Sequence, residues 1–277
     1  MIQVWGYCMK YRTKEVSRIT GIPVDTLRYY EKIGVISPKI DEKNHYRYYN
    51  AWDINFLFEY INYRKMEYSS KEAIHYIHFA TLQEQIEMAE KQKAFYQEKC
   101  EHYQMLLGRN RSYLEAIKTI EGNLNKISFC TIPTYKYILY RQNYHFYNSK
   151  KTSEEISLWL DYIGLTENVV IIPKETILST GENEYYWGLM LREDWYNQLH
   201  LEKTDNIQTM ESRLCVKTLV EAYGEGTFSY HLLDEAIVFL KEHNFELAGD
   251  PFGILLTRSH DDQSIHRYIE FYLPVQI

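Results

Sequence analysis

Residues 12–38 read RTKEVSRITGIPVDTLRYYEKIGVISP, and this stretch decides the fold of the N-terminal part of the chain. It predicts a first helix over Lys14–Thr20, with Thr13 as its N-cap and apolar residues on one face. Gly21 suits the left-handed conformation that ends a helix, and a proline is tolerated at the start of the next helix, Val24–Lys32. Two short helices joined by a glycine turn predict a helix-turn-helix.

A charged hairpin is predicted directly after these two helices. Pro38 blocks continuation of the second helix, and the hairpin Lys39–Tyr49 has the turn-forming sequence Asp41-Glu42-Lys43-Asn44 at its tip. Arg47 stands on the return strand, where its guanidinium can reach a phosphate. A hairpin beside a helix-turn-helix is a wing, and the combination predicts a module that reads duplex DNA.

Each candidate contact residue also has an ordinary structural interpretation. Tyrosines usually pack in cores and interfaces, and a single arginine is more often a solvated surface residue. In this arrangement, however, the pattern favours contact with DNA bases and phosphates. The candidates are Thr13, Lys14, Thr26, Arg28, Tyr29, Arg47 and Tyr48.

The winged helix-turn-helix of the MerR family is similar to this region. The resemblance is carried by Leu27-Arg28-Tyr29-Tyr30-Glu31, by Ile33–Pro38 and by Asn44-His45-Tyr46-Arg47-Tyr48-Tyr49, and it spans residues 11–78. His45 departs from the family, which commonly has glycine there. The resemblance implies a dimeric transcription regulator that binds double-stranded promoter DNA. It also implies activation by distorting an overlong spacer so that RNA polymerase can engage both promoter elements.

Two further helices are predicted after the wing. The first, Ala51–Arg64, has Ile54, Leu57, Phe58 and Ile61 on one side, and Ser69 or Ser70 can cap the second. In the MerR family these helices form a second wing that contacts phosphates. The resemblance therefore adds Arg64, Lys65 and Tyr68 to the candidate DNA contacts.

The net charge of −7 argues against a wholly basic nucleic-acid binder, but the charge is uneven. Residues 1–75 hold 12 Lys and Arg against 9 Asp and Glu, whereas the remainder holds 19 against 29. A mildly basic N-terminal region followed by an acidic C-terminal region is typical of a DNA-binding protein with a separate control domain.

The four cysteines, Cys8, Cys100, Cys130 and Cys215, have no metal-ligand spacing. We expect no metal site, no cofactor and no disulfide framework, and a cytoplasmic protein with reduced thiols. No apolar run in this sequence is long enough to span a membrane, and we expect no signal peptide. Residues 1–10 match no element, and we expect residues 1–8 to be an upstream extension or an alternative start before Met9.

Residues 79–120 are predicted to form one long helix. Apolar positions recur in alternating steps of four and three, which is typical of a coiled coil, here expected to be antiparallel. We call these positions the seam: Leu82, Ile86, Ala89, Lys93, Tyr96, Cys100, Tyr103, Leu107, Asn110, Leu114 and Ile117. About 40 helical residues reach roughly 60 Å, too long to bury within one subunit, so the seam predicts a homodimer.

After a linker at residues 121–127, residues 128–277 are predicted to form two rough copies of strand–helix–strand–strand. The first copy comprises Phe129–Arg141, Ser153–Ile163, Val169–Ile172 and Tyr185–Leu191, and the second comprises Leu214–Tyr223, Phe228–His243, Gly253–Leu256 and His266–Pro274. The fold class is therefore α+β: a winged helix-turn-helix, a dimerisation helix and a pseudo-twofold C-terminal domain with a cleft between its repeats.

The second repeat resembles the GyrI-like effector-binding domain that follows the DNA module in drug-responsive MerR regulators. The resemblance is carried by Ala222-Tyr223-Gly224, Phe245–Gly249 with Pro251, and Tyr268-Ile269-Glu270-Phe271-Tyr272-Leu273-Pro274-Val275. It implies that Glu270 is the recurrent pocket carboxylate. The chain departs from some drug-binding relatives, which place a further carboxylate where this chain reads Phe252-Gly253-Ile254.

The residues themselves also suggest a ligand site, since the chain contains 27 tyrosines. Aromatic walls attract flat or cationic ligands, and strand alternation puts Glu270 on one face with Tyr268 and Tyr272. Tyr186, Trp187 and Tyr223 are secondary candidates. The alternative is that Glu270 lies on a solvent face and the aromatic residues are core.

Three functions follow from these patterns. The leading one is a transcriptional activator that responds to a small hydrophobic or cationic ligand. The first alternative is a small-molecule hydrolase that uses Tyr223 or Tyr268 with Glu270 as acid and base. The second is a DNA-binding repressor without ligand input. We expect no catalytic residues and no membrane partner.

Overall fold

A computed structural model describes residues 10–178, 183–224, 228–261 and 264–276. The expected extension at residues 1–8 therefore lies outside the described residues. The chain divides into two compact units, residues 1–101 and residues 102–277. The long helix predicted over residues 79–120 is observed as one continuous helix, and the division between the two units falls within it.

The N-terminal unit is a small helical domain with a three-stranded sheet in the order β1-β3-β2. Its elements are β1 (Tyr11–Arg12), α1 (Thr13–Thr20), α2 (Val24–Lys32), β2 (Lys39–Ile40), β3 (Arg47–Tyr49), α3 (Ala51–Lys65), α4 (Ser70–His78) and the first part of α5 (Leu82–Lys118). Its core is formed by buried side chains from α1, α2 and α3, among them Val16, Leu27 and Leu57. The predicted helix-turn-helix and wing are therefore both observed.

Two details of this unit differ from the sequence prediction. Arg12, not Thr13, occupies the N-cap of α1, because the Glu15 carboxylate accepts a hydrogen bond from the Arg12 backbone N–H at 2.7 Å. Phe58 is 48% exposed, whereas Tyr60 is buried. The core-facing stripe of α3 therefore runs through Ile54, Leu57 and Tyr60 instead of turning toward Phe58.

The C-terminal unit is built around one large antiparallel sheet in the order β4-β10-β13-β12-β7-β8-β5-β6, with β9 beside β5 and β11 beside β13. Its helices are the second part of α5, α6 (Ile120–Asn123), α7 (Lys150–Leu160), α8 (Lys174–Leu178), α9 (Glu193–Gln198) and α10 (Asp234–Glu242). Its strands are β4 (Ile127–Ile132), β5 (Tyr135–Gln142), β6 (His145–Phe146), β7 (Glu167–Ile171), β8 (Tyr186–Arg192), β9 (Gln208–Met210), β10 (Arg213–Tyr223), β11 (Glu246–Leu247), β12 (Phe252–His260) and β13 (Ile265–Gln276).

The strand order confirms the pseudo-twofold arrangement of two repeats. From the centre of the sheet toward one edge, the first repeat contributes its third strand β7, then its closing strand β8, then its first strand β5. The other side has the third, closing and first strands of the second repeat, β12-β13-β10. The two halves meet where β7 pairs with β12 through three pairs of residues, the central one joining Val170 and Gly253.

Two segments of the repeats differ from the prediction. Phe129–Arg141 is two strands, because the chain turns at residues 133–134 and β4 pairs with β10 of the other repeat. The second helical segment has a 3-10 turn at Tyr230–Leu233, and α10 begins only at Asp234.

The large sheet has two faces, and each carries a cluster of buried apolar residues. The outer face carries apolar residues such as Val170, Ile269 and Phe271, and α10 packs on it through Ala236 and Leu240. We call the opposite side, which carries Val169, Phe252, Ile254 and Tyr272, the inner face. No helix among the described residues is long and apolar enough to cross a membrane.

Candidate functional site

The second helix of the helix-turn-helix exposes a polar side. Leu27 is fully buried against the rest of the unit, whereas Arg28 and Tyr29 point outward, with a 64% exposed Arg28 side chain and a 53% exposed Tyr29. The contact of Arg28 with the exposed Asp25 is long, at 3.4 Å, and no other ion pair of Arg28 is found within the described residues. Such a contact in water holds a side chain weakly, so Arg28 remains available for an external partner.

The remaining candidates of the first two helices and the wing lie at or near the surface. Lys14 is exposed, and Thr13, Thr26 and Tyr48 are half-buried. Arg47 is held in place by an ion pair of 2.7 Å between its Nε and Glu31. The hydrogen bond with Glu31 and the charge of that carboxylate raise the pKa of Arg47, so the guanidinium stays charged on the wing strand.

The wing turn is built by Asp41 and Asn44. The Asp41 carboxylate accepts hydrogen bonds from the backbone N–H groups of Lys43 and Asn44 at 3.0 and 3.2 Å. His45 then adopts a left-handed conformation with φ of 56°. That conformation favours glycine, which gives a physical reason for the glycine that the MerR resemblance leads us to expect at this position.

The candidates from the second pair of helices are in different environments. Lys65 is exposed. Tyr68 is 4% exposed and packs edge-on against Tyr63 and Tyr76, so its ring belongs to the core of the unit. The Arg64 guanidinium donates to the backbone carbonyl of Tyr68 and thereby helps to fix the turn between the helices.

The seam of α5 lies on the surface of the described chain. All of its members except Ile117 are exposed, with exposed fractions of 75% for Leu82, 63% for Tyr103 and 52% for Leu107. Contiguous exposed apolar surface of this kind marks an interaction site.

In the second part of α5, the opposite side of the helix packs on the C-terminal unit. Met105 is buried among residues of this unit, and the Tyr113 hydroxyl hydrogen-bonds that of Thr257 at 3.0 Å. Packing within the unit thus uses one side of the helix and leaves the seam uncovered.

The inner face of the large sheet carries a charged cluster around Glu270. The Glu270 carboxylate forms an ion pair of 2.9 Å with Lys217 on the neighbouring strand β10. It also accepts a hydrogen bond from the Tyr272 hydroxyl. The Glu270 side chain is only 22% exposed, so it does not lie on an open solvent face.

A second carboxylate on the same face was missed by the sequence analysis. Glu167 of β7 alternates with Val169 and Ile171 and forms a 3.6 Å ion pair with Arg109 of α5. Its Oε2 atom is buried without a hydrogen-bond partner. The available signal was the strand alternation that puts Glu167 on the inner face, but its partner lies 58 positions earlier in the chain.

Burial controls the protonation of this cluster. It raises the pKa of Glu167, although the charge of Arg109 opposes the shift. Burial also raises the pKa of the Tyr272 phenol, and the adjacent charge of Glu270 raises it further. The pKa of Tyr135 is also raised, first by burial and then by the charge of Glu167. Both phenols therefore remain hydrogen-bond donors at neutral pH.

The other ligand candidates separate into three groups. Tyr186 lies on the inner face but hydrogen-bonds Glu184, and this bond together with burial raises its pKa to about 12. Tyr223 is 54% exposed and donates to Glu221 at 2.7 Å, and Tyr268 is paired with Glu221 across the strands. Trp187 lies on the outer face in the core, away from Glu270.

The described residues contain no group of three His, Cys, Asp or Glu side chains that could hold a metal ion. Of the cysteines in the described part of the chain, Cys100, Cys130 and Cys215 form no disulfide.

The N-terminal unit is matched by a protein-family model. The model is described as MerR HTH family regulatory protein and matches residues 11–79. These residues therefore form a MerR-type helix-turn-helix domain, the DNA-binding part of a transcription regulator. No curated protein matches the chain.

Several solved structures are similar to parts of the chain or to all of it. The regulator EcmrR, in its DNA complex, is 14% identical and has a TM-score of 0.38, with 96% of this chain and 99% of that chain covered. The N-terminal part of MtaN, the Bacillus subtilis multidrug transporter activator, is 19% identical over 37% and 97% of the two chains, with a TM-score of 0.33. A hydrolase encoded by lin2189 from Listeria innocua is 11% identical over 58% and 97%, with a TM-score of 0.34. Likeness at this level assigns no function to the chain.

Proposed function

We propose that this protein is a homodimeric transcriptional activator of the MerR type whose C-terminal unit is a GyrI-like effector-binding domain. It binds double-stranded promoter DNA, and a small hydrophobic ligand at the inner face controls how the promoter is presented to RNA polymerase. The observation that carries the proposal is the combination of a MerR-type domain with a separate domain that holds two largely buried carboxylates.

The DNA contacts are proposed from exposure and charge. Arg28 and Tyr29 project from α2, the helix that enters the major groove in a helix-turn-helix. Lys14, Arg47 and Lys65 supply positive charge for phosphates on either side. Thr13, Thr26 and Tyr48 complete the proposed surface.

The dimer is proposed from the seam. A second copy of the chain fits best, because two copies present two recognition helices to a palindromic site. Lys93 and Asn110 interrupt the apolar seam, and such polar interruptions set the register of a coiled coil.

The ligand site is proposed at Glu270, Glu167, Tyr135 and Tyr272. The unsatisfied Oε2 of Glu167 calls for a hydrogen-bond donor or a cation, and the two phenols can stack on and donate to an aromatic guest. Lys217 already neutralises Glu270. A cationic ligand must therefore displace the Lys217 ammonium, whereas a neutral aromatic donor can bind beside it.

Activation requires that the ligand bind more tightly to the DNA-distorting state of the dimer than to the other state. A ligand with equal affinity for both states shifts nothing.

The test begins with selection of binding sites from a random duplex library, followed by transcription in vitro from a promoter that carries the selected site. Lipophilic aromatic cations and their neutral isosteres are added separately. We expect at least one compound to raise transcription, and we expect Glu270→Gln to remove the response while DNA affinity is retained. Site-specific binding without a response to any compound would contradict the ligand-controlled part of the proposal. Compound turnover that Glu270→Gln abolishes would favour a hydrolase instead.

Arg28→Ala tests the DNA-binding face. We expect about tenfold weaker binding to the selected duplex, since one base-reading arginine contributes about 1–3 kcal/mol. Gel shift at fixed salt measures the affinity, and sedimentation shows that the oligomeric state is kept. Lys203→Ala removes the same charge from an exposed position of the C-terminal unit and should leave affinity unchanged. Equal affinity of Arg28→Ala and wild type would remove Arg28 from the proposed contacts.

A further inference from the structure

Two of the cysteines lie directly opposite each other in the large sheet. Cys130 of β4 and Cys215 of β10 are cross-strand partners within an unbroken antiparallel ladder. Residues directly opposite in such a ladder point to the same face of the sheet. Both thiols therefore lie on the inner face, where Cys130 packs against the buried cluster that contains Cys215.

The spacing of such a pair suits a disulfide. Opposite residues of an antiparallel ladder have Cα atoms about 4.5 or about 5.5 Å apart, depending on the type of pair. Disulfides join residues whose Cα atoms are about 4.4–6.8 Å apart. Both types of pair fall within this window, so rotation of the Cys130 and Cys215 side chains can bring the sulfur atoms together with little movement of the strands.

The two thiols differ in their access to solvent. Cys130 is half-buried on β4, an edge strand of the sheet, whereas Cys215 is fully buried. The Cys215 thiol donates a weak hydrogen bond of 3.8 Å to the backbone carbonyl of Arg213. An oxidant from solution therefore reaches Cys130 first, and Cys215 is in position to complete a bridge.

The environment keeps both thiols protonated at neutral pH. Burial, with a smaller contribution from Cys130, raises the pKa of Cys215 to about 12. Burial also raises the pKa of Cys130, but the positive charge of Lys217 opposes this shift. Because the thiolate is the form that attacks a disulfide, Cys130 is the better nucleophile of the pair, and it is also the more accessible one.

We propose that Cys130 and Cys215 form a reversible disulfide by exchange with a low-molecular-weight disulfide. The Cys130 sulfur attacks one sulfur of the small disulfide, and the first small thiolate leaves with the proton of Cys130. The Cys215 sulfur then attacks the Cys130 sulfur of the mixed disulfide, and the second small thiolate leaves with the proton of Cys215. The protein thiols lose two electrons and two protons in all, and the small disulfide is reduced to two thiols.

The bridge would fasten an edge of the sheet. Among the described strands, β4 pairs only with β10, so a covalent link between them holds the one neighbour that β4 has there. Lys217 lies two positions beyond Cys215 on the same face of β10 and pairs with Glu270. The oxidised pair is thus next to the ligand site proposed above, but its formation does not depend on that function.

The test uses the full chain with Cys8→Ser and Cys100→Ser, so that only the two paired thiols remain. Folded protein is incubated with excess oxidised glutathione, quenched in acid and analysed by mass spectrometry, intact and as unreduced peptides. We expect the loss of both thiols and a linked peptide that joins Cys130 to Cys215, and we expect dithiothreitol to restore both thiols. Retention of both thiols in the folded protein, or a product that stops at the glutathione mixed disulfide, would overturn the proposal.

A matched control keeps two thiols but moves one of them to the other face of the sheet. In the same background, Cys130→Ser with Thr131→Cys places the thiol at the next position of β4, where the side chain is exposed. Because neighbouring residues of a strand face opposite ways, we expect this variant to form the internal bridge at least about tenfold more slowly and to accumulate the mixed disulfide. Equal rates of bridge formation in the two proteins would show that the cross-strand pairing does not direct the reaction.

Discussion

Lys217 occupies the position beside Glu270 that the positive group of a ligand would take. Its Nζ lies 2.9 Å from the Glu270 carboxylate, and the two side chains are 36% and 22% exposed. A pair with this much exposure contributes up to about 1 kcal/mol. In the proposed ligand site, the affinity of Glu270 for an external cation should be reduced by the same amount, so we expect Lys217 to influence which ligand charge is accepted.

Lys217→Met therefore tests the role of this pair. We expect the variant to bind a quaternary aromatic ammonium such as benzyltrimethylammonium roughly fivefold more tightly, which corresponds to about 1 kcal/mol. Calorimetry measures the affinity. The double variant Lys217→Met with Glu270→Gln should lose the gain. If Lys217→Met bound the cation no better than wild type, Lys217 would not compete for the site.

His45 has a backbone conformation that favours glycine. Its φ of 56° lies in the left-handed region, which costs an ordinary residue about 1–2 kcal/mol relative to the right-handed one. The cost is confined to the tip of the wing, whose hydrogen bonds to Asp41 keep the turn closed.

His45→Gly should stabilise the N-terminal unit by about 1 kcal/mol, or about 4 °C in the melting temperature of a fragment of residues 1–120. Thermal unfolding followed by circular dichroism measures the shift. Glu42→Gly is the matched control, because Glu42 is exposed in the same turn but does not have a positive φ. It should lower stability by a few tenths of a kcal/mol, because glycine only adds freedom to the unfolded chain there. A lower melting temperature for His45→Gly would contradict the strain argument.

At the scale of the element, the second part of α5 has apolar residues on two opposite sides. One side contributes Met105 and Tyr113 to the C-terminal unit, and the other presents Tyr103, Leu107 and Leu114 to solvent. A helix apolar on both sides needs a second surface to cover it. The exposed seam supplies the contact expected of a dimer.

Leu107→Asp should convert the dimer to a monomer. A buried aspartate in the seam leaves a charge without water or a partner, which costs several kcal/mol in each chain. Sedimentation velocity at micromolar protein measures the change. Ala94→Asp adds the same charge at an exposed position outside the seam and should remain dimeric. A monomeric wild type, or a dimeric Leu107→Asp, would contradict the seam as the interface.

The elements themselves were largely predictable from local patterns. Gly21 and Pro23 mark the turn between α1 and α2, and both helices are found where these residues place them. The four segments predicted as third and closing strands of the two repeats are observed as β7, β8, β12 and β13. The split of Phe129–Arg141 into β4 and β5 was not predicted, because both strands have continuous β-forming sequence and their separation depends on which distant strand each one joins.

The candidate ligand site was less predictable for a related reason. Alternation correctly put Glu270 and Tyr272 on one face. Lys217 of β10 neutralises Glu270, and Arg109 of α5 neutralises Glu167. No local sequence pattern predicts these two pairs. Trp187 was grouped with Tyr186, but neighbouring residues of a strand face opposite ways, and Trp187 belongs to the outer core.

At the scale of the whole molecule, charge is divided between the two ends of the chain. Residues 1–120 hold 18 Lys and Arg against 15 Asp and Glu, whereas residues 121–277 hold 13 against 23. A negatively charged C-terminal region repels DNA at distances within the Debye length, which is about 30 Å at 0.01 M salt and about 8 Å at 0.15 M.

The full chain should therefore associate with DNA more slowly than a fragment of residues 1–120 at low salt. The difference should shrink as salt is raised, because the repulsion is screened. Stopped-flow association with a fluorescent duplex measures both rate constants, and matched oligomeric states are checked by sedimentation. Equal association rates at 0.01 M salt would show that the acidic region does not influence encounter.

The junction of β7 and β12 has a consequence for what kind of pocket the C-terminal unit can offer. A row of cross-strand partners runs Glu270–Ile254–Val169–Gly188, so Glu270 and Gly188 lie one strand away on either side of the Ile254–Val169 pair. At Gly188 a Cβ atom would collide with the Ile138 carbonyl oxygen. Two separate, identical repeats placed symmetrically about the Ile254–Val169 pair would present the same residue on both sides of it. A guest could then bind between them in either of two opposite orientations. The covalently joined repeats present a carboxylate on one side and bare backbone on the other. Duplication within one chain thus makes the proposed ligand site polar, and we expect a guest with two different ends to bind it in a single orientation.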